Sequence, residues 1–254
     1  MKRWRWHILL FVVVYGVSLL GTMPAVLALH WAEPVLMKMP EHPTLQGIDG
    51  TLWSGHASQV VYRGMPLGDV QWHVSPWALL IGRLTVAVKL NNRDGYLDGV
   101  LSTGFSAERW HLSQVQGQVP ASLVKGLAPG LPVVPSGTFA LVIDDARFEH
   151  ARLQSLDGRI VWNKGGIASP LPLEFGDLLA EFSSGTSGIS GHIKDSGGPL
   201  QLDAVLKLGT DGVYALTGKS AARAGAAQSL VTSLSMLGQP DANGMVPFHF
   251  SGRL

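Results

Sequence analysis

The residues best suited to covalent chemistry lie together in the segment Asp195-Ser196-Gly197-Gly198-Pro199-Leu200. A serine in such a setting can act as a nucleophile, and the backbone N–H groups of a glycine-rich segment can stabilise an oxyanion. The same residue types also favour a tight turn, because Asp, Ser, Gly and Pro all suit turn conformations. The segment therefore has two interpretations: a nucleophile, or a connection between two strands.

The groups that would activate this serine are missing from the sequence. The segment resembles the nucleophile region of trypsin-like serine proteases, but Lys194 stands where those enzymes carry glycine. None of the nine histidines has the sequence setting of their catalytic histidine, and His56 in Ser54-Gly55-His56-Ala57 is a poor match. Because the hydroxyl then has no base beside it, we interpret residues 195–199 as a turn between strands at 188–194 and 200–208.

No other arrangement of residues predicts a catalytic, cofactor or metal site. The chain has no H-E-x-x-H, no G-x-S-x-G, no P-loop and no G-x-G-x-x-G, and it contains no cysteine for a disulfide or a zinc site. Asp144-Asp145 is a possible carboxylate pair, but adjacent strand residues point to opposite faces, so we interpret it as a strand end and turn. We predict a protein that is not an enzyme and has no cofactor.

The tryptophans say more about a possible interaction surface than the candidate catalytic residues do. Trp53, Trp72 and Trp77 lie among apolar or glycine-rich neighbours, where an indole either packs in a core or forms a surface for a protein or lipid partner. Trp77 follows Ser75-Pro76, a typical start of a helix, but one turn is too short to be stable alone. We predict that Trp72 and Trp77 pin this turn onto a sheet, with a partner surface as the alternative.

The N-terminal segment predicts a membrane anchor. Residues 8–29 carry no charge and would span about 33 Å as a helix, against roughly 30 Å for the bilayer core. Lys2, Arg3 and Arg5 precede them, so the N-terminus is expected in the cytoplasm and the rest of the chain in the periplasm, with the inner membrane crossed once. A signal peptide cleaved after Val26-Leu27-Ala28 is the alternative, but its apolar region would be unusually long.

The rest of the chain has the pattern of antiparallel strands. Residues 31–45 predict an extended linker, and residues 46–254 are dominated by period-two alternation, as in Leu200-Gln201-Leu202-Asp203-Ala204. We predict a mainly β fold: a single N-terminal transmembrane helix in residues 1–30, then a twisted, curled antiparallel sheet that forms a partly open barrel or half-barrel with a few short helices. Similar Trp-containing strands suggest two halves, residues 46–135 and 136–254. A helical stripe predicts a helix at 220–237.

Charge excludes one class of partner. Three of the 19 lysines and arginines precede residue 6, so the remainder has fewer basic residues than its 18 acidic ones. Nucleic acid is therefore not an expected partner.

Three motifs in the region Gly47–Leu90 carry a family resemblance. They are Gly50-Thr51-Leu52-Trp53-Ser54-Gly55-His56-Ala57, Leu67-Gly68-Asp69-Val70-Gln71-Trp72 and Ser75-Pro76-Trp77-Ala78-Leu79-Leu80-Ile81-Gly82-Arg83-Leu84. This region resembles protein N of the bacterial type II secretion system, and weaker similarity reaches Pro135-Ser136-Gly137 and the last residues of the chain.

The resemblance implies an accessory inner-membrane component of the apparatus that exports folded proteins across the outer membrane. It implies other secretion subunits and membrane lipid as partners, and it brings no catalytic residues. The architecture also resembles AsmA-like envelope proteins, so an alternative function is to bind or transfer lipid along an open apolar sheet. The shape of the sheet would distinguish the two functions. A sheet closed over a filled core favours the secretion component, and an open apolar groove favours lipid binding.

Overall fold

The computed structural model describes residues 7, 11, 15, 18, 19, 21–27, 30, 43–104, 108–127, 130–150 and 152–253. The chain divides into two compact units, residues 1–92 (unit 1) and residues 93–254 (unit 2). Within residues 43–253, the described part contains thirteen strands and three short helices. In each unit the strands are antiparallel and pair in chain order, which confirms the predicted mainly β class.

Within residues 43–92, unit 1 contains four strands and one helical turn. They are β1 (Thr44–Gly50), β2 (Ser54–Tyr62), β3 (Met65–Val74), helix α1 (Pro76–Leu80) and β4 (Arg83–Asn92). Each strand pairs antiparallel with the next one along the chain. The hairpin between β2 and β3 turns at Arg63-Gly64, where both residues have positive φ, as a two-residue turn matched to the twist of the strands requires.

The described N-terminal residues attach to unit 1. Residues 7, 11, 15, 18, 19 and 21 have helical backbone, and the N–H of Thr22 donates to the carbonyl of Ser18 at 3.0 Å. The chain then leaves the helix at Met23 and Pro24, and helical backbone returns at residues 25–27. The carbonyl of Met23 accepts the N–H of Leu52 at 2.9 Å, Pro24 forms an antiparallel bridge with Thr51, and Ala25 is only 2% exposed.

No helix in the part of the chain that the structure describes is both long and apolar enough to cross a membrane. Most of the predicted anchor at 8–29, and the predicted linker as far as residue 42, lie outside the described residues. The anchor and its orientation therefore stay predictions.

The described part of unit 2 contains nine strands and two short helices. They are β5 (Gly95–Gly104), β6 (Arg109–Pro120), helix α2 (Leu123–Leu127), β7 (Val134–Glu149), β8 (Arg152–Ser169), β9 (Leu173–Gly185), β10 (Gly188–Asp195), β11 (Leu200–Leu208), β12 (Val213–Ala222), helix α3 (Gln228–Ser235) and β13 (Val246–Arg253). Consecutive strands pair antiparallel from β5 to β13. The predicted alternation is present on β11, where Gln201, Asp203 and Lys207 are exposed.

The core of unit 2 lies where α3 covers one end of its sheet. Leu230 and Leu234 of α3 are buried against Leu178 and Leu200. Partly buried hydrophobic residues complete this cluster: Trp162, Leu173, Phe175, Leu202, Ala222 and Ala226. Since the two leucines of α3 are one helical turn apart, a helix of only eight residues covers this end of the sheet with a single stripe.

The helix predicted at 220–237 is shorter than expected. Residues up to Ala222 continue β12, because Ala222 pairs with Leu200 on β11. The chain then turns through Gly225, which has φ of +85°, a backbone conformation that favours glycine. The first residues of the predicted helix therefore belong to a strand. The observed helix α3 begins at Gln228 and ends at Ser235.

Candidate functional site

The three tryptophans that the sequence singled out have different environments in the structure. Trp72 and Trp53 are half-buried, and Trp77 is 77% exposed. The Nε1–H of Trp72 donates to the carbonyl of Leu52 at 3.2 Å, and its ring lies so close to Gly55 that a Cβ there would come within 2.4 Å of it. The prediction that Trp77 packs onto the sheet is therefore wrong, while the contacts of Trp72 are those of a packed residue.

Helix α1 instead presents an apolar surface to solvent. None of its five residues is buried, and Trp77, Leu80 and Ile81 are 77%, 76% and 74% exposed. Leu84, at the start of β4, is 38% exposed. We call these four residues the α1 patch. Because exposed apolar residues that cluster mark interaction sites more often than isolated ones do, the α1 patch is the candidate functional surface of unit 1.

Local sequence explains why the α1 patch is exposed. Pro76 occupies the first helical turn, and the N–H of Gly82 donates to Leu79 at 3.0 Å, with φ of +80° at Gly82. The helix thus starts and stops within one turn between β3 and β4, and Ser75 contributes no side-chain capping bond. One turn has too few residues to bury an apolar stripe, so its large side chains remain outside. In the sequence, the feature that could have predicted an exposed surface was the short length of this helical turn, more than its tryptophan.

The charged residues in α1 and the strand segments on either side of it, residues 70–92, have one sign. Residues 70–92 contain no aspartate or glutamate and include His73, Arg83 and Lys89. Within the described residues of the chain, Arg83 makes no ion pair, and it is exposed. On the polar face of the same sheet, His56, Gln71, His73 and Lys89 border an open groove of about 570 Å³. Residues 70–92 of unit 1 therefore combine exposed apolar side chains with positive charge and no acidic residue.

The predicted turn is present in unit 2, although it is one residue shorter than expected: Asp195 is the last residue of β10 and residues 196–199 form the connection to β11. Ser196 is exposed. Its Oγ has no hydrogen-bond partner among the described residues, so nothing there activates it as a nucleophile. The carboxylate of Asp195 instead accepts the backbone N–H of Leu202 at 2.7 Å and the guanidinium of Arg223 at 2.6 Å.

Asp195 and Arg223 form a structural ion pair. Burial alone would raise the pKa of Asp195, but hydrogen bonds from Leu202, Arg223 and Gly197 outweigh it and hold that pKa below its ordinary value. Arg223 also donates to the carbonyl of Gly198 at 3.0 Å. The pair therefore ties the β10–β11 turn to the end of β12.

A second polar cluster joins three strands of unit 2. His111 on β6 lies in close contact with Asp145 on β7, and Arg147 Nε lies 3.1 Å from Asp145 Oδ2. Ser155 on β8 donates to the same carboxylate at 3.4 Å. Burial would raise the pKa of Asp145, but the His111 hydrogen bond and Arg147 outweigh it and lower that pKa.

The interpretation of Asp144-Asp145 as a strand end and turn is wrong, because both residues lie inside β7, where the pairing with β8 shifts register. The contact of Asp145 with His111, 34 residues away, has no local sequence signal. Since Ser155 donates to Asp145 and not to the imidazole, the cluster lacks the serine–histidine contact of a nucleophile and its base.

Among the residues that the structure covers, no group of three His, Asp or Glu side chains is arranged to hold a metal ion.

The apolar face of unit 2 is filled at one end and half-exposed elsewhere. Leu206, Leu216 and Phe250 lie directly opposite one another on β11, β12 and β13. None of the three is buried, and Phe250 is 49% exposed. The filled core under α3 and this half-exposed row coexist on one sheet.

Comparison with known proteins identifies the family. The family model described as type II secretion system (T2SS), protein N matches residues 43–249. Type II secretion system protein N of Vibrio cholerae is 30% identical over 261 residues, with both chains fully covered. The proteins of that name from Aeromonas hydrophila and Pectobacterium carotovorum are 26% and 24% identical, covering 96% of this chain, and 96% and 94% of their own lengths. No solved structure gives a significant match. Since the family model covers most of the chain, including the motifs between Gly47 and Leu90, this chain belongs to the type II secretion system protein N family.

Proposed function

We propose that this protein is an accessory component of the type II secretion system, anchored in the inner membrane by its N-terminal segment and working in the periplasm through its two β units. Family membership carries the proposal, since relatives named protein N of this system match nearly the full chain. The role is structural or assembly-related, with other secretion subunits as partners, and supports the export of folded proteins.

The N-terminal residues support an anchor at the membrane. Phe11, Tyr15 and Leu19 recur four residues apart, so they lie on one helical face, and all three are exposed. Exposed apolar residues on one face are what a helix surrounded by lipid requires, because lipid replaces the protein partners of a buried helix. The cationic residues Lys2, Arg3 and Arg5 favour a cytoplasmic N-terminus.

The polar clusters support a role without catalysis. The carboxylates of Asp195 and Asp145 are engaged by Arg223 and by His111 with Arg147, so they serve pairings between strands. We propose that residues 31–45 act as a linker between the anchor and the β units, and that Trp53 and Trp72 stabilise unit 1 while Trp77 belongs to a contact surface.

The experiment is a membrane fractionation with crosslinking in a strain that secretes through this system. The full chain should remain in the inner-membrane pellet after alkaline extraction, its intact mass should include residues 1–30, and other secretion subunits should be crosslinked to it. Deleting the gene should reduce the amount of folded cargo outside the cell, and a plasmid copy should restore it. A mature chain that starts at Leu29 would overturn the anchor, and normal secretion in the deletion strain would overturn the role in export.

A second candidate function follows from the half-exposed row Leu206, Leu216 and Phe250. A continuous apolar row across three strands can contact acyl chains, as a lipid-binding protein would use it. Mass spectrometry of the protein purified in a lipid-free detergent tests this idea. Phospholipid retained by the natural chain and lost from Leu216→Asp, with Val205→Asp on the opposite face of β11 as the control, would favour lipid handling over a purely structural role.

A further inference from the structure

We propose that the α1 patch docks unit 1 onto the surface of an anionic phospholipid bilayer, at the point where the N-terminal helix leaves the membrane. This inference rests on the anchor in the proposed function and adds to it a second contact with the membrane. The occupant of the patch is thus the headgroup region of the bilayer, and Trp77, Leu80 and Ile81 are the inserting side chains.

The first observation is that the patch and the N-terminal helix meet the same edge of the unit 1 sheet. Gly50 at the end of β1 pairs with Gly55, and Ser54 at the start of β2 pairs with His73 near the end of β3. Met23 and Pro24 attach at Thr51-Leu52, in the loop between β1 and β2. The next residue, Trp53, accepts the N–H of Val74 at 2.7 Å, two residues before α1 begins.

These hydrogen bonds place α1 beside the point at which the chain leaves its N-terminal helix. Because antiparallel strands alternate in direction, the end of β3, the start of β4 and the β1–β2 loop all lie at one edge. If the helix crosses a membrane, this edge faces that membrane. The opposite edge, with the Arg63-Gly64 turn, faces away from it.

The second observation is the length of the N-terminal helix. The first run of described helical residues ends at residue 21, where Thr22 closes the last turn, and helical backbone returns only after the bridge at Pro24, at residues 25–27. One continuous helix over residues 8–21 would rise about 21 Å, against about 30 Å for the bilayer core. A short apolar helix is accommodated by thinning of the bilayer or by flanking residues that reach the interface. An apolar edge that sinks into the interface relieves the same mismatch.

The third observation is chemical. Tryptophan and aliphatic side chains beside arginine or lysine are the composition of interfacial membrane segments, where the indole lies at headgroup depth. No acidic residue occurs from Val70 to Asn92, so the patch would meet anionic headgroups without repulsion. Asp49, the acidic residue at this edge of β1, lies 3.8 Å from His56. The absence of acidic residues therefore favours an anionic bilayer over a protein as the occupant of the patch, because a protein partner does not by itself require it.

The test uses the absence of cysteine from the chain, because one introduced cysteine is then the single labelling site. The full chain carrying Leu80→Cys, labelled with an environment-sensitive fluorophore, is reconstituted into vesicles of phosphatidylcholine and phosphatidylglycerol. Gln59→Cys, an exposed position on β2 about 17 Å from the start of that strand, is the matched control in unit 1. Tyr15→Cys reports on the anchor itself.

We expect brominated lipid to quench the fluorophore at residue 80 by about half, as for a side chain buried some 5–10 Å into the headgroup and acyl boundary, and to leave residue 59 unaffected. Arg83→Glu should reduce quenching at residue 80 in vesicles with phosphatidylglycerol. Thermal melts of the labelled variants that match the natural chain show that they are folded.

Four results would overturn the inference. Equal quenching of residues 80 and 59 by aqueous iodide shows an uncovered patch. Protection of residue 80 from iodide without quenching by brominated lipid shows that protein covers the patch. Loss of lipid quenching at residue 15 as well as at residue 80 overturns the anchor together with the docking. Quenching at residue 15 but not at residue 80 overturns the docking alone.

Discussion

Trp72 and Trp77 are five residues apart, but their environments predict opposite consequences of truncation. Trp72 is half-buried against Gly55 and donates its indole N–H to Leu52, whereas Trp77 is 77% exposed. We predict that Trp72→Ala destabilises the protein, and that Trp77→Ala leaves its stability unchanged and weakens its contact with the membrane.

The magnitude follows from the contacts of Trp72. Truncating a fully buried tryptophan to alanine costs about 3–5 kcal/mol, and a hydrogen bond contributes about 1 kcal/mol. Because Trp72 is only half-buried, we expect about 3 kcal/mol for the ring and its hydrogen bond together. For a chain of this size that lowers the melting temperature by about 6–12 °C. The lost bond to Leu52 also loosens the loop to which Met23 attaches.

The assay is a thermal melt of the full chain in detergent, followed by circular dichroism, for the natural protein, Trp72→Ala, Trp72→Phe and Trp77→Ala. Trp72→Phe keeps an aromatic ring but removes the N–H, so it should cost about 1 kcal/mol. Trp77→Ala should melt within about 2 °C of the natural protein, as exposed positions usually do. An unchanged melt for Trp72→Ala, or a large loss for Trp77→Ala, would refute the assignment of one indole to packing and the other to the surface.

Other predictions concern unit 2. Ser196→Ala should leave secretion intact, since no described group activates its hydroxyl; a serine labelled by a fluorophosphonate would contradict this. Leu230→Ala should cost about 3 kcal/mol in a chemical denaturation because its side chain is 2% exposed, while Leu237→Ala, at 45% exposure, should cost well under 1 kcal/mol; similar losses would refute the core under α3. The pKa of Asp195 lies below its ordinary value of 3.8, so its ion pair with Arg223 stabilises the fold fully above that value and loses this contribution as the pH falls through the lowered pKa. The stability difference between the natural chain and Asp195→Asn should therefore shrink between about pH 5 and pH 2 in acid titrations of unfolding, and a constant difference would be inconsistent with the pair.

Local patterns in the sequence predicted the elements that depend on local physics. Alternation in β11 marks a strand with one face turned to apolar neighbours, and Gln201, Asp203 and Lys207 are exposed as that pattern requires. Residues 196–199 form a turn because their residue types favour one whatever surrounds them. Ser75-Pro76 begins a helical turn because proline suits the first position of a helix.

Some predictions were wrong where pairing between strands outweighed local preference. Residues 220–222 have a helical pattern, but their backbone groups pair with β11, and α3 begins only at Gln228. Asp144 and Asp145 have the composition of a turn, yet β7 runs through them because β6 and β8 pair on either side. In both cases a neighbouring strand supplies hydrogen bonds that no local pattern reveals.

The sequence by itself determined the family, the mainly β class and the strands, because each strand must bury one face and each turn must bend the chain. Only the tertiary structure decided which side chains meet. Asp195 pairs with Arg223 28 residues away, His111 meets Asp145 34 residues away, and Leu178 and Leu200 pack beneath α3. It also decided that Trp72 is packed and Trp77 exposed, although both lie in apolar sequence. Contacts of this kind depend on strand order and register, which bring distant residues together, so a local pattern does not contain them.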